Sequence, residues 1–107
     1  MRRFLVGVAV AVVVLIGAFF YFSTPDIPRS VLEAKYATPP SEFLMLPDGA
    51  RAHLRDVGPQ DGMVLILIHG SMASLFTWEP WAKRLSDSFR VVSIDMPGHG
   101  LTGAVKG

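Results

Sequence analysis

SIDMPGHGLTG, residues 93–103, admits three readings, and each brings a different fold with it. Its tail, Gly98-His99-Gly100-Leu101-Thr102-Gly103, spells the G-x-G-x-x-G of a dinucleotide-binding turn. That turn must open a helix directly after the first strand and be followed about 20 residues on by an acid that holds the ribose. Here Met96-Pro97 intervene, an earlier strand precedes, and no such acid follows. Its middle, Asp95-Met96-Pro97-Gly98-His99, is spelled like the D-x-P-G-H of a translational GTPase. A GTPase also needs an upstream G-x-x-x-x-G-K-[ST] loop. The equivalent place, HGSMASLFTW (69–78), lacks the second glycine and the lysine, so phosphates and Mg²⁺ have no seat. No nucleotide is expected as a ligand.

The third reading draws on what surrounds the stretch. MVLILI, residues 63–68, is apolar at every position, as expected of a central strand covered on both faces. RVVSID, residues 90–95, reads as a second such strand. Between them Trp78, Trp81, Ala82 and Leu85 recur at i, i+3, i+4 and i+7, the spacing of one helix face. Thr77 is suited to cap this helix, Pro80 falls in its first turn, and the tryptophans are expected to pack it on the sheet. Strand, helix, strand implies a right-handed crossover and a parallel pair. Upstream, SEFLML (41–46) ends at the turn Pro47-Asp48-Gly49, and ARAHLRDV (50–57) ends at Gly58-Pro59. Ala52, Leu54 and Asp56 alternate with Arg51, His53 and Arg55, a weak period-two signal, and the two segments read as a hairpin.

In this order and spacing, residues 65–103 resemble the opening of the α/β-hydrolase fold superfamily. The carrying features are His69-Gly70 ending a buried strand, the tryptophan-bearing helix, and Asp95-x-Pro97-Gly98-x-Gly100 after the next strand. The resemblance, which covers the chain from about Ser41 onward, implies an α/β fold: a hairpin followed by a parallel βαβ unit. It also implies that the loop after His69-Gly70 supplies one backbone N–H to an oxyanion hole. By position that donor is the Ser71 amide, with Met72 beside it. Such a donor lowers an acyl-transfer barrier by about 3 kcal/mol. Gly70 would let the backbone approach the reacting oxygen without a Cβ in the way. The triad histidine of the superfamily comes late in the chain, so neither His69 nor His99 is the catalytic base. His69 is expected to orient the loop through its ring, while Asp95, Gly98 and Gly100 shape the neighbouring loop. Ser71, Ser74 and Thr102 are taken as ordinary loop hydroxyls, Thr102 standing where the pattern more often has serine.

No G-x-S-x-G, nor a form with aspartate at its centre, occurs in the sequence. A catalytic domain of this fold needs about 250 residues, and about 85 follow the apolar segment. The 107 residues are therefore expected to be an N-terminal fragment, inactive and poorly stable alone. The complete protein would cleave an ester, amide or similar bond of a small-molecule substrate without metal or cofactor. Ser71 stands where dehalogenase-like sequences usually have asparagine, and His-Gly-Ser-Met replaces the His-Gly-Phe-Pro frequent in epoxide-hydrolase-like ones. Both departures favour a serine nucleophile. An aspartate nucleophile is the alternative, and a non-catalytic anchored product is a third reading.

Residues 4–22, FLVGVAVAVVVLIGAFFYF, carry no charge and no proline. As a helix they would extend about 28 Å, close to the roughly 30 Å hydrocarbon core of a bilayer. The run exceeds the h-region of a signal peptide, and bulky aromatics fill the exit where a cleavage site would need small residues. It reads as a retained signal anchor in the lipid bilayer, with residues 1–3 a cytosolic tip, residues 23–40 a proline-rich tether, and residues 41–107 the incomplete hydrolase domain. Arg2 and Arg3 place the N-terminus in the cytosol and the hydrolase part outside it, against Arg29 and Lys35 on the other side. A short helix is expected over residues 31–36. The net charge is +1 and there is no basic patch, so nucleic acid is not an expected partner. Cysteine is absent, which excludes disulfides and thiolate metal sites.

Overall fold

The computed structural model describes residues 1–104; residues 105–107, the last of the expected hydrolase segment, lie outside the described residues. Helix α1, Arg2–Phe22, is apolar all round and buries none of its side chains against the rest of the chain. It is long and apolar enough to cross a membrane. The helix ends where the Ser23 amide bonds the Phe19 carbonyl at 2.9 Å and the Ser23 hydroxyl donates to the Phe20 carbonyl at 3.1 Å. Pro25 follows and cannot prolong it.

Helix α2, Arg29–Tyr36, starts two residues earlier than expected, behind Pro28. The sequence reading makes it part of a tether, but it is docked. The Arg29 guanidinium donates to the Leu101 carbonyl. Glu33 pairs with both Arg29 (3.1 Å) and Arg51 (3.2 Å). The Tyr36 ring lies 6.0 Å from that of Phe76.

Four strands form one mixed sheet: β1 (Ser41–Met45), β2 (Arg51–Val57), β3 (Val64–Ile68) and β4 (Arg90–Ile94), in the order β1-β2-β4-β3. β1 and β2 are the expected antiparallel hairpin, with Phe43 opposite His53, and Gly49 takes φ +82° in the turn. β3 and β4 are the expected parallel pair, Leu65 beside Val91 and Leu67 beside Ser93. β4 also pairs antiparallel with β2, Arg55 opposite Ser93, which makes it the central strand. A 3₁₀ turn, Leu75–Trp78, leads into α3, Glu79–Leu85, and the two pack on β3 and β4. The core lies there: Leu75, Ala82, Val91 and Leu101 are buried.

Two expectations about burial are corrected, that for MVLILI and that for the tryptophans, and the buried face of β2 is decided. MVLILI is not a doubly covered central strand, because β4 takes the middle and leaves β3 at the edge. Leu65 and Leu67 face the α3 layer and are partly buried, whereas Val64, Ile66 and Ile68 are exposed. In β2 the polar set is on the packed side: His53 is fully buried, while Ala52 and Leu54 are only partly so. The register explains this, since His53 and Arg55 share a face with Ser93 under the α3 layer. The tryptophans do not both pack: Trp81 is 59% exposed and Trp78 is partly buried. Trp78 belongs to the tighter 3₁₀ turn, so the change in residues per turn at Glu79 breaks its alignment with Trp81. Thr77 does not cap α3, whose N-cap position is Trp78, without a side-chain bond. Pro80 does sit in the first turn.

On the sheet face away from α3, Arg90 makes a forked pair with Asp56, with contacts of 3.1, 3.1 and 2.5 Å. That hydrogen bonding holds the Asp56 carboxyl below its ordinary range, against a smaller opposing effect of burial. The pair ties β2 to β4.

Candidate active site

β3 and β4 are parallel neighbours, so their carboxyl ends open side by side, where ligands bind in open α/β sheets. His69, Gly70, Ser71 and Met72 leave β3 there, and Asp95 and residues 96–102 leave β4. His69, Gly70, Ser71, Met96, Pro97 and His99 line one open hollow. Ser71 and Gly70 are exposed, and Met72 is 95% exposed with φ +57°, a left-handed conformation rarely adopted by a residue with a long side chain.

The His69 ring is buried and bridges both loops. Its Nδ1 lies 2.7 Å from the Gly70 carbonyl oxygen, and its Nε2 accepts the Met96 amide at 3.0 Å. Carbonyl on one side and amide on the other require the neutral ring with the proton on Nδ1. The Gly70 carbonyl and the Ser71 amide belong to one planar trans peptide and point in opposite directions. By holding the carbonyl, His69 fixes the direction of the Ser71 N–H.

Beneath this loop lies a network centred on Asp95, 2% exposed. Its Oδ1 accepts the Leu75 amide at 2.8 Å, and its Oδ2 accepts the Leu101 amide at 3.0 Å and the His53 Nδ1–H at 2.7 Å. Burial alone would raise its pKa, but the hydrogen bonds from His53, Leu101 and Leu75 outweigh it and hold the carboxyl below its ordinary range. The Asp95 amide bonds the His53 carbonyl, and the His53 amide donates to the Thr102 hydroxyl oxygen at 2.8 Å. Thr102, taken from sequence as an ordinary loop hydroxyl, is buried and joins β2 to the loop after β4. Gly100 shows why that loop needs glycine: at φ +51° an added Cβ would sit 2.3 Å from the Asp95 carboxylate. At Gly70 a Cβ would meet nothing within 4 Å, so glycine is not required there by crowding within the chain.

Sequence reasoning missed His53 and Ser41 altogether. The Ser41 hydroxyl lies 2.8 Å from His53 Nε2, which with Asp95 completes a serine–histidine–aspartate line. The distances suit a hydrolytic triad, but His53 has no exposed surface and its ring lies 5.2 Å from Phe43 and 6.1 Å from Phe76. A base with no exposed surface cannot hand a proton to a leaving group in the solvent. The line instead gives every ring nitrogen a partner and fixes Asp95. Among the described residues no cluster of three or more His, Cys, Asp or Glu side chains could hold a metal ion. His99 sits at the hollow's edge, its ring 5.2 Å from that of His69 and its Nδ1 3.1 Å from the Pro97 carbonyl oxygen.

No family model matches the chain. Over 65 residues, 61% of its length, it is 37% identical to (E)-2-((N-methylformamido)methylene)succinate hydrolase of Acinetobacter baylyi, of which it covers 24%. Over 47 residues, 44% of its length, it is 47% identical to the magnesium-chelatase 30 kDa subunit of Rhodobacter capsulatus, covering 16% of that protein. A hydrolase from Pseudomonas aeruginosa superposes with a TM-score of 0.56 at 28% identity, over 65% of this chain and 26% of that one. An alpha/beta hydrolase from Sphaerobacter thermophilus gives 0.56 at 24% identity, over 62% and 25%. The Cif epoxide hydrolase from Acinetobacter nosocomialis gives 0.58 at 24% identity, over 78% and 30%. The chain thus spans less than a third of each of these proteins. Mixed sheet, βαβ unit and sequence kinship agree: from β1 onward, the chain carries the N-terminal part of the α/β-hydrolase fold.

Proposed function

We propose that residues 41–107 open the catalytic domain of a membrane-anchored hydrolase, and that the nucleophile, acid and base of the complete protein lie outside these 107 residues. The observation that carries this reading is the Gly70–Ser71 peptide. It stands at the carboxyl end of β3, with its carbonyl engaged by a buried imidazole and Ser71 exposed at the hollow. A donor fixed before the reaction stabilises an oxyanion without reorganising as charge develops. His69 and Asp95 act at one remove, as positioning residues, and Gly98 and Gly100 shape the rim. The bond cleaved is an ester, an amide or a similar acyl bond, and the attacking group is a serine. The second reading is that an aspartate attacks instead. Helix α1 anchors the protein in the bilayer.

The test uses the complete protein. Ser71→Pro removes the amide proton, and kcat is expected to fall by about 100-fold or more, with the fold checked by circular dichroism. An undiminished kcat would remove the Ser71 amide from the mechanism. A fluorophosphonate adduct on a serine is expected. Incorporation of ¹⁸O from labelled water into an aspartate would establish the second reading instead.

A further inference from the structure

The chain from α1 to the hydrolase sheet is short, and it arrives at one particular pole. Between the end of α1 and Arg29 lie residues 23–28, which include Pro25 and Pro28. From Phe22 to Arg29 an extended chain reaches about 25 Å at most. Arg29 then bonds the Leu101 carbonyl, two residues from His99 at the rim of the hollow. Glu33 pairs with Arg51, which stands at the same end of the sheet, one residue before the hairpin partner of Leu44. Leu32 and Tyr36 lie against Ser74, Phe76 and Leu101 around a shallow apolar groove. These contacts of Arg29, Leu32, Glu33 and Tyr36 with the sheet unit are at the carboxyl pole of β3 and β4. The opposite pole, with Gly58, Asp61 and Gly62, is further away by the length of β3, about 17 Å.

We propose that α2 is a spacer that turns the His69–Ser71 and Met96–His99 rim toward the bilayer surface, so that the site takes an amphiphilic acyl substrate directly from the lipid leaflet. The inference rests on the anchored-hydrolase reading above. The tether keeps the docked pole within about 25 Å of the end of α1, and the dock places the start of α2 at the rim rather than at the far pole, which biases the unit toward presenting the rim. The rim's chemistry agrees with such a neighbour. Met72 is held in a left-handed conformation with its thioether side chain almost wholly in solvent. Met96 and Pro97 line the hollow with His69 and Ser71, and Leu44 and Met45 are exposed beside the hairpin turn at this pole. Apolar groups in water at this end are unfavourable, and they gain by dipping into the interface.

The chain has no cysteine, so single labels are simple to place. The complete protein, with any cysteine beyond these residues replaced, is inserted into phosphatidylcholine vesicles that carry a nitroxide on the headgroup, with a fluorophore on Met72→Cys or on Asp61→Cys. Severalfold stronger quenching at position 72 than at 61 is the expected result. Equal quenching, or stronger quenching at 61, in membrane-bound protein overturns this inference and leaves the anchored-hydrolase reading intact. Recovery of the chain in the aqueous fraction overturns the anchor itself, and this inference with it. Inserting about a dozen Gly-Ser residues after Thr24 keeps the dock but frees the unit from the surface. The difference between the labels should then shrink; an unchanged difference overturns the spacer role. Arg29→Ala is expected to have the same effect by loosening the dock.

Discussion

Asp95 collects its hydrogen bonds from His53, Leu75 and Leu101, side chain and backbone of three separate segments. Removing its charge leaves donors aimed at one another in a buried place. Asp95→Asn is expected to cost about 3 kcal/mol at pH 7, measured by urea unfolding in detergent with tryptophan fluorescence. The sign with pH follows from the lowered carboxyl. A folded pKa below the unfolded value gives stability that is full above about pH 4 and is lost as pH falls through the folded value. The gap between wild type and Asp95→Asn should therefore close in acid, and a gap constant down to pH 2 would contradict the ionised network. Gly100 adjoins the same carboxylate. Gly100→Ala places a Cβ where Asp95 stands, at a φ of +51°, and is expected to destabilise by about 2 kcal/mol or more. Hydrogen exchange at the Leu75 and Leu101 amides should rise with it; unchanged protection would show that the carboxylate has room to move.

Among the elements, β3 is the most exposed to wrong pairing. It is an edge strand whose Val64, Ile66 and Ile68 are more than half open, or at half, to solvent on the side away from α3. An uncovered apolar edge is a template for another chain. Ile66→Lys should therefore reduce self-association of the 107-residue chain in light scattering without lowering its unfolding midpoint. A loss of stability instead would mean that Ile66 packs against the chain itself. The hairpin and the parallel pair were both legible from sequence, because turn residues and continuous apolar runs are local signals. The docking of α2 was not, because its partners, Arg51, Phe76 and Leu101, are distant in the chain.

At the scale of the molecule, the structure joins an apolar helix, none of whose residues is buried among the described residues, to a small mixed sheet. Arg2 and Arg3 open the helix, and the proposed topology puts everything after it outside the cytosol. An alkaline phosphatase fusion at Ser30 is expected to be active, and a fluorescent signal from a cytosolic reporter at the same point would reverse the orientation. The uncharged run of residues 4–22 makes a helix long and apolar enough to cross a membrane a property of composition, so no tertiary contact is needed to find it.

The sequence by itself determined the class of fold, through the order of apolar runs, turn residues and the His69-Gly70 and Asp95-x-Pro97-Gly98 spacing. It could not say which face of β2 is buried, because a period-two strand reads the same with either face inward. Only the pairing of β2 with β4 decided that, by setting His53 under the α3 layer beside Asp95, 42 residues away. Only the tertiary structure likewise put β4 rather than β3 in the middle of the sheet and gave Thr102 its partner. Burial depends on what covers a residue, and for these residues the cover comes from segments far along the chain.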